Sequence, residues 1–317
     1  MKRGATDLSA PLLFSLAATL PLSAPLGKGI HAVHGELEMR HFPDGESYLR
    51  VRSPVHERHC VLLANLSQPD EKLLPLLFLA HTLRALGAAS IGLVAPYLCY
   101  MRQDKAFQPG EAVTSRIFAG LISDAVNWLL TVDPHLHRYH SLAEIYSIPA
   151  HALSGMPAMQ TWIEAQPEEF LLVGPDAESQ QWVSALAHAT GRPYIVGKKQ
   201  RHGDRSVTVT LPEDAQIRRS AVLIVDDVIS SGHTVLETTA ALKRAGAGSI
   251  VCAAVHGVFA EDADRKILQA GADRLATSNS IPGQYGAFDL SPVLIPAVKA
   301  LLREHRGGAP EKGDYPE

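Results

Sequence analysis

Residues Val222 to Thr234 read VLIVDDVISSGHT: an apolar run, two adjacent aspartates, and a small-residue loop ahead of a segment of helical period. A short apolar run bounded by turn residues predicts a buried strand. A strand that ends in acids and passes through a small loop into a helix predicts a ligand at the carboxyl edge of a parallel sheet. Ser230, Ser231, Gly232 and Thr234 offer hydroxyls, backbone N–H groups and the positive end of the helix dipole, a site suited to a phosphate monoester, with His233 in the same loop. Asp226 and Asp227, just before it, can accept hydrogen bonds from vicinal hydroxyls of a sugar whose phosphate lies in the loop. An acidic strand end followed by an ordinary serine helix cap fits the same stretch taken alone.

Outward from this segment, short apolar runs alternate with longer helical ones. Cys60 to Leu66, Ile91 to Leu98, Trp128 to Val132, Phe170 to Val173, Tyr194 to Val196, Ala221 to Val225 and Ile250 to Val255 read as strands. Glu71 to Leu86, Val113 to Val126, Ser179 to Ala189, Val235 to Ala245 and Asp262 to Ala270 read as helices. The alternation predicts an α/β fold of two domains, each a mostly parallel sheet flanked by helices. Trp128 to Asp133 (WLLTVD) echoes Val222 to Asp227 (VLIVDD), which suggests a duplication. The segment Ser154 to Pro167 reads as the boundary, dividing the chain into residues 1–153 and 154–305, with residues 306–317 expected to form a disordered Gly-, Pro- and charge-rich tail.

A chain of 317 residues accommodates two such domains, and 46% hydrophobic against 20% charged residues is the balance of a soluble globular protein. A formal charge of -4 leaves no basic surplus for a nucleic-acid backbone, so small-molecule partners are expected. Cys60, Cys99 and Cys252 are too scattered for a metal cluster or disulfide framework, and a reducing cytoplasm is the simplest compartment. Met1 to Ala24 superficially resembles a secretion signal, but Pro11, Pro21 and Pro25 interrupt it, and Leu12 to Leu16 reads equally as a first strand leading into a helix. No apolar run is long enough to span a bilayer.

The Val222 to Thr234 stretch resembles the phosphoribosyl-diphosphate binding motif of type I phosphoribosyltransferases. Phe42 to Glu46 (FPDGE), Ala95 to Lys105 (APYLCYMRQDK), Pro109 to Ser115 (PGEAVTS), Thr131 to His135 (TVDPH) and Gly174 to Asp176 (GPD) look like successive signatures of the ribose-phosphate diphosphokinase family, in its order. The PGE segment looks like the archaeal branch. The resemblance implies a phosphoribosyltransferase-like fold in both domains, with ATP motifs in the first and a ribose 5-phosphate site in the second.

It also implies transfer of the β,γ-diphosphate of ATP to the C1 hydroxyl of ribose 5-phosphate, with Mg²⁺ as cofactor and a homodimer or hexamer as the assembly. By the same resemblance, Arg102, Gln103 and Asp104 bind ATP together with Phe42, Asp44 and Glu46 from a neighbouring subunit. His135 and Asp176 are metal-site residues, and Asp226, Asp227 and Ser230 to Thr234 hold ribose 5-phosphate. The basic segment Val196 to Ser206 corresponds to a mobile loop that closes on ATP. Lys198 matches its catalytic lysine, while its arginine falls on Gln200, so that Arg201 or Lys199 would substitute. His233 replaces a usual glycine and Ser230 a usual aspartate. Two other functions share parts of the pattern: a non-catalytic regulatory relative, favoured by Gln200, and a phosphoribosyltransferase, which would not need the N-terminal motifs.

Overall fold

A computed structural model describes residues 10–16, 21–136, 138–201, 207–212 and 216–306, without the side chains of Gln200, Arg201 and Val207. The expected tail beyond residue 306, His137, and residues 202–206 of the basic segment lie outside the described residues, as does much of the N-terminal signal-like stretch. The chain divides into two compact units, residues 155–290 forming the second and the remainder the first.

The first unit runs β1 (Leu12–Ser15), α1 (Ser23–Gly29), β2 (Val33–His34), β3 (Leu37–His41), β4 (Ser47–Val51), β5 (His59–Leu63), α2 (Asp70–Ala85), β6 (Ser90–Ala95), α3 (Thr114–Ala125), β7 (Trp128–Val132) and β8 (Ala150–Leu153). Six strands form a parallel sheet in the order β2-β1-β5-β6-β7-β8, and β3 with β4 makes a separate antiparallel ribbon. Alternation along the strands sends residues to opposite faces. Leu12 and Phe14 join Leu76, Leu79 and Leu83 of α2 and Phe118 and Ile122 of α3 in one core, while Leu13 faces α1. Trp128, fully buried, lies across Gly92 so closely that a Cβ there would fall 1.9 Å from its ring.

The second unit runs α4 (Met156–Glu164), β9 (Leu171–Gly174), α5 (Gln180–Thr190), β10 (Tyr194–Val196), β11 (Lys198–Arg201), β12 (Val207–Thr210), β13 (Ala221–Ile229), α6 (His233–Arg244), β14 (Ser249–Gly257), α7 (Ala263–Gln269), β15 (Arg274–Ser278) and β16 (Gly286–Phe288). Its parallel sheet has the order β10-β9-β13-β14-β15-β16, and β11 with β12 is again a separate antiparallel ribbon. Val222 and Ile224 of β13 pack with Val235 and Leu242 of α6 and Ile267 of α7.

Both units therefore follow one path: two strands, a hairpin, then four more strands. The duplication holds at the level of topology, but the sequence echo pairs the wrong elements. By position β13 corresponds to β5, whereas WLLTVD lies on β7, the counterpart of β15. Both β7 and β13 are buried interior strands with an apolar run leading into acids, Asp133 just past β7 and Asp226 and Asp227 within β13, so they are alike in composition without being equivalent.

One further expectation changes. The last helix, α8 (Ser291–Glu304), belongs to the first unit and not the second: it packs on α1 and β7, and Ile295 lies against Gly29. The first division between the units falls between Ser154 and Gly155, within the stretch read as the boundary, and α4 occupies Met156–Glu164 of that stretch. No helix among the described residues is long and apolar enough to cross a membrane.

Candidate active site

In the second unit the chain returns past β9 after making β10, so β9 and β13 lie side by side with their connections leaving in opposite directions. Such a switch point opens a crevice at the carboxyl ends of the strands. Asp176 follows β9, while β13 carries Asp226 and Asp227 and runs on to Ile229, four residues beyond the sequence expectation. The acids do not stop the strand because pairing with β14 continues past them: Asp226 is opposite Ala254 and Val228 opposite His256.

The Asp226 carboxyl is held well above the ordinary carboxylate range, first by desolvation, then by the charge and hydrogen bonding of Asp227 and the charge of Asp176. Backbone groups fix the pair, with Asp227 N–H donating to Asp226 Oδ1 at 3.0 Å and Val228 N–H to Asp227 Oδ1 at 2.8 Å. Asp176 is anchored by its own turn: its Oδ1 accepts from the N–H groups of Glu178 at 3.1 Å and Ser179 at 3.2 Å. Its Oδ2 meets Lys199 Nζ at 3.0 Å.

Ser230, Ser231 and Gly232 connect β13 to α6, which starts at His233. Gly232 has φ +70°, and a Cβ there would come within 3.0 Å of Ala263 Cβ and 3.1 Å of Ile267 Cδ1, so the loop requires glycine on both conformational and steric grounds. His233 is exposed, and its Nδ1 is 2.9 Å from Ser231 Oγ. The imidazole therefore orients a loop hydroxyl at the start of a twelve-residue helix whose first N–H groups have no intrahelical partner.

The described part of the basic segment includes a strand, Lys198–Arg201, in which Lys198 pairs with Thr210 and Lys199 with Val209 in the antiparallel register. Adjacent residues of a strand face opposite ways, so Lys199 turns to Asp176 while Lys198 is exposed.

In the first unit, Arg102, Gln103 and Asp104 follow β6 and His135 follows the adjacent β7. Arg102 is exposed and Gln103 and His135 partly buried. Asp104 turns inward: its side chain is 1% exposed, Arg138 Nη1 donates to Oδ1 at 2.8 Å and to Oδ2 at 3.1 Å, and the Tyr139 hydroxyl donates to its carbonyl at 3.1 Å. Asp104 thus braces the segment that presents Arg102.

Phe42, Asp44 and Glu46 form the turn of the β3–β4 ribbon, closed by Phe42 N–H to Glu46 O at 2.8 Å and Gly45 N–H to Phe42 O at 2.9 Å. Phe42 stays 39% exposed, its ring held edge-on by Tyr48 with the Arg40 guanidinium over both rings. The turn is what presents the ring, so a tight hairpin turn and a ligand contact are compatible in FPDGE. Among the described residues no three or more of His, Cys, Asp and Glu converge to enclose a metal ion. The hard carboxylates around Asp226 suit Mg²⁺, which takes few protein ligands and completes its shell with water and substrate oxygens.

Arg138 and Ser179 escape a sequence reading. Arg138 is thirty-four residues from its partner Asp104. Ser179, fully buried, accepts from Asp176 N–H at 3.2 Å and donates to Asp176 O at 2.6 Å, in a segment with no distinctive spacing. Lys199 could have been separated from Lys198 by recognising Val207–Thr210 (VTVT) as a strand of alternating, β-branched character.

Two nucleotide-type α/β units in tandem, with acids and a glycine-bearing loop at a sheet switch point in the second, define a phosphoribosyltransferase-fold protein with an additional N-terminal unit. Residues 12–125 match the N-terminal domain of ribose phosphate pyrophosphokinase, and residues 141–287 match the phosphoribosyl transferase domain. The chain is 32% identical over 267 residues to the ribose-phosphate pyrophosphokinase of Methanobrevibacter smithii, covering 80% of this chain and 89% of the relative. It is 31% identical over 262 residues to that of Thermococcus kodakarensis, covering 82% and 91%. The crystal structure of phosphoribosylpyrophosphate synthetase from Mycobacterium smegmatis shares the fold, with a TM-score of 0.78 and 21% identity over 93% of this chain and all of the other. The chain belongs to the ribose-phosphate pyrophosphokinase family.

Proposed function

We propose that this family member transfers the diphosphoryl group of Mg-ATP to ribose 5-phosphate, and that it does so with the residues placed above. The observation that carries the reading is the crowding of Asp226, Asp227 and Asp176 beside the Ser230–Thr234 loop, which joins a sugar-hydroxyl site to a phosphate site at one sheet edge.

Ribose 5-phosphate places its phosphate against the N–H groups and hydroxyls of Ser230, Ser231, Gly232, His233 and Thr234, and its ribose hydroxyls against Asp226 and Asp227. ATP is held by Arg102 and Gln103, with Phe42, Asp44 and Glu46 contributed by a neighbouring copy in a homodimer or hexamer; an aromatic face and a guanidinium suit a purine, and amide and carboxylate groups suit its polar edge. Asp104 acts through its brace with Arg138 and not by contact.

Mg²⁺ would neutralise phosphate charge when bound, with His135 as the proposed protein group on the ATP diphosphate side and Asp176 as the one on the ribose side. The C1 hydroxyl oxygen attacks the β-phosphorus, the bond from that phosphorus to the α–β bridging oxygen breaks, AMP leaves with the oxygen, and the hydroxyl proton passes to solvent. Lys198 offsets negative charge on the transferring group, with Arg201 proposed in place of the family's loop arginine; transfers of this kind depend on position and charge more than on a covalent intermediate.

No membrane or nucleic-acid partner is required, and the cytoplasm supplies both substrates. The test is AMP release from Mg-ATP by the purified chain: it should depend on ribose 5-phosphate and be lost in Asp227→Asn. Release that ignores the sugar would refute the assignment.

A further inference from the structure

Lys199 is the residue of the basic arm that already has a partner. Its ammonium and the Asp176 carboxylate are 3.0 Å apart, with side chains only 17% and 13% exposed. The carboxylate cannot easily turn away, because Glu178 and Ser179 N–H groups hold Oδ1, and Ser179 Oγ, itself buried, ties down the Asp176 backbone. Oδ2 is the oxygen left to face a cation, and Lys199 stands at it.

A divalent ion bound directly to that oxygen would lie about 2.0–2.1 Å away. A lysine ammonium at hydrogen-bond distance from the same atom would then face strong like-charge repulsion. Lysine suits an exchangeable partner, being a point charge on a flexible stem and not the planar two-pronged donor that arginine is.

We propose that Lys199 is the resident counter-ion of Asp176 in the substrate-free chain and a positioning residue for the divalent cation, which must displace its ammonium to reach the carboxylate. The displaced ammonium is then free, one residue from Lys198, to meet the anionic substrates. Lys199 is thereby distinct from a replacement for the loop arginine: its first role is to hold the cation site until the cation arrives. The inference rests on the assignment of Asp176 made under the proposed function.

The test is Mn²⁺ binding to the full chain, followed by the loss of the free-ion electron paramagnetic resonance signal. Lys199→Met should bind Mn²⁺ about threefold to fivefold more tightly than the parent, the scale of a partly exposed ion pair. Lys199→Arg, which keeps the pair, should bind no more tightly than the parent. Lys198→Met, which removes the same charge from the opposite face, should change affinity less than Lys199→Met. Equal or weaker binding by Lys199→Met, while Asp176→Asn still weakens binding, would overturn the role of Lys199 alone. Binding indifferent to Asp176→Asn would overturn it together with the metal assignment.

Discussion

Arg138 grips Asp104 through one guanidinium nitrogen that reaches both carboxylate oxygens, at 2.8 and 3.1 Å, across thirty-four residues of sequence. The aspartate is almost wholly enclosed and the arginine about half exposed. Removing the buried member leaves a cation without its partner and Tyr139 in a loosened frame; removing the arginine strands a buried charge, which is costly. Both changes loosen the segment from Arg102 to Ser115, whose N–H donates to Gln103 O at 3.3 Å.

Arg138→Ala should therefore destabilise the chain by about 2–4 kcal/mol in urea unfolding, with Asp104→Ala costing less. Both should raise the KM for ATP through misplacement of Arg102. Unchanged unfolding midpoints would show that the pair does not brace this segment.

Gly232→Ala places a Cβ in a left-handed conformation and against Ala263 and Ile267. A loss of about 1–2 kcal/mol in stability is expected from the conformation alone. Ribose 5-phosphate binding, measured by calorimetry, should weaken because the loop N–H groups are turned. ATP binding should be spared, and an equal loss for both ligands would contradict the division of labour between the units.

Asp226 gives the chain a pH signature. Its carboxyl is raised by burial and by Asp227 and Asp176, so between the ordinary carboxylate range and the raised native value the folded chain binds a proton that the unfolded chain has released. The contribution of Asp226 to stability falls as pH rises through that window. In chelator, Asp226→Asn should melt with a flatter pH dependence and at a higher Tm than the parent above the window, while losing ribose 5-phosphate binding. A parent and Asp226→Asn with the same pH dependence of Tm across the window would contradict the electrostatic account.

Lys198, exposed on the outer face of β11, is proposed to act on the transferring group. Lys198→Ala should lower kcat by about a hundredfold, the scale of losing one charge-stabilising donor, with a smaller change in KM. Equal kcat in both proteins would remove Lys198 from the chemistry.

Two of the first unit's helices were legible almost to the residue: Glu71 to Leu86 became Asp70–Ala85, and Val113 to Val126 became Thr114–Ala125. The loop chemistry of Val222 to Thr234 was legible too, because glycine and hydroxyls before a helix have a local cause. What could not be read were relations set by the tertiary fold. Leu37–His41 and Ser47–Val51 alternate too weakly to announce the ribbon that presents Phe42. Asp104 looks like any exposed acid until Arg138 is brought beside it, and α8 gives no local sign that it returns to the first unit. The equivalence of β5 and β13 rests on strand order alone, since HCVLL and AVLIVDDVI share no polar signature.

The most direct measurement is a phosphorus NMR time course of the purified chain with Mg-ATP, with and without ribose 5-phosphate. The account predicts AMP together with a new sugar-linked diphosphate, formed only when the sugar is present. ATP that stays intact with the sugar, Mg²⁺ and free phosphate all present would contradict it and point to a non-catalytic member of the family.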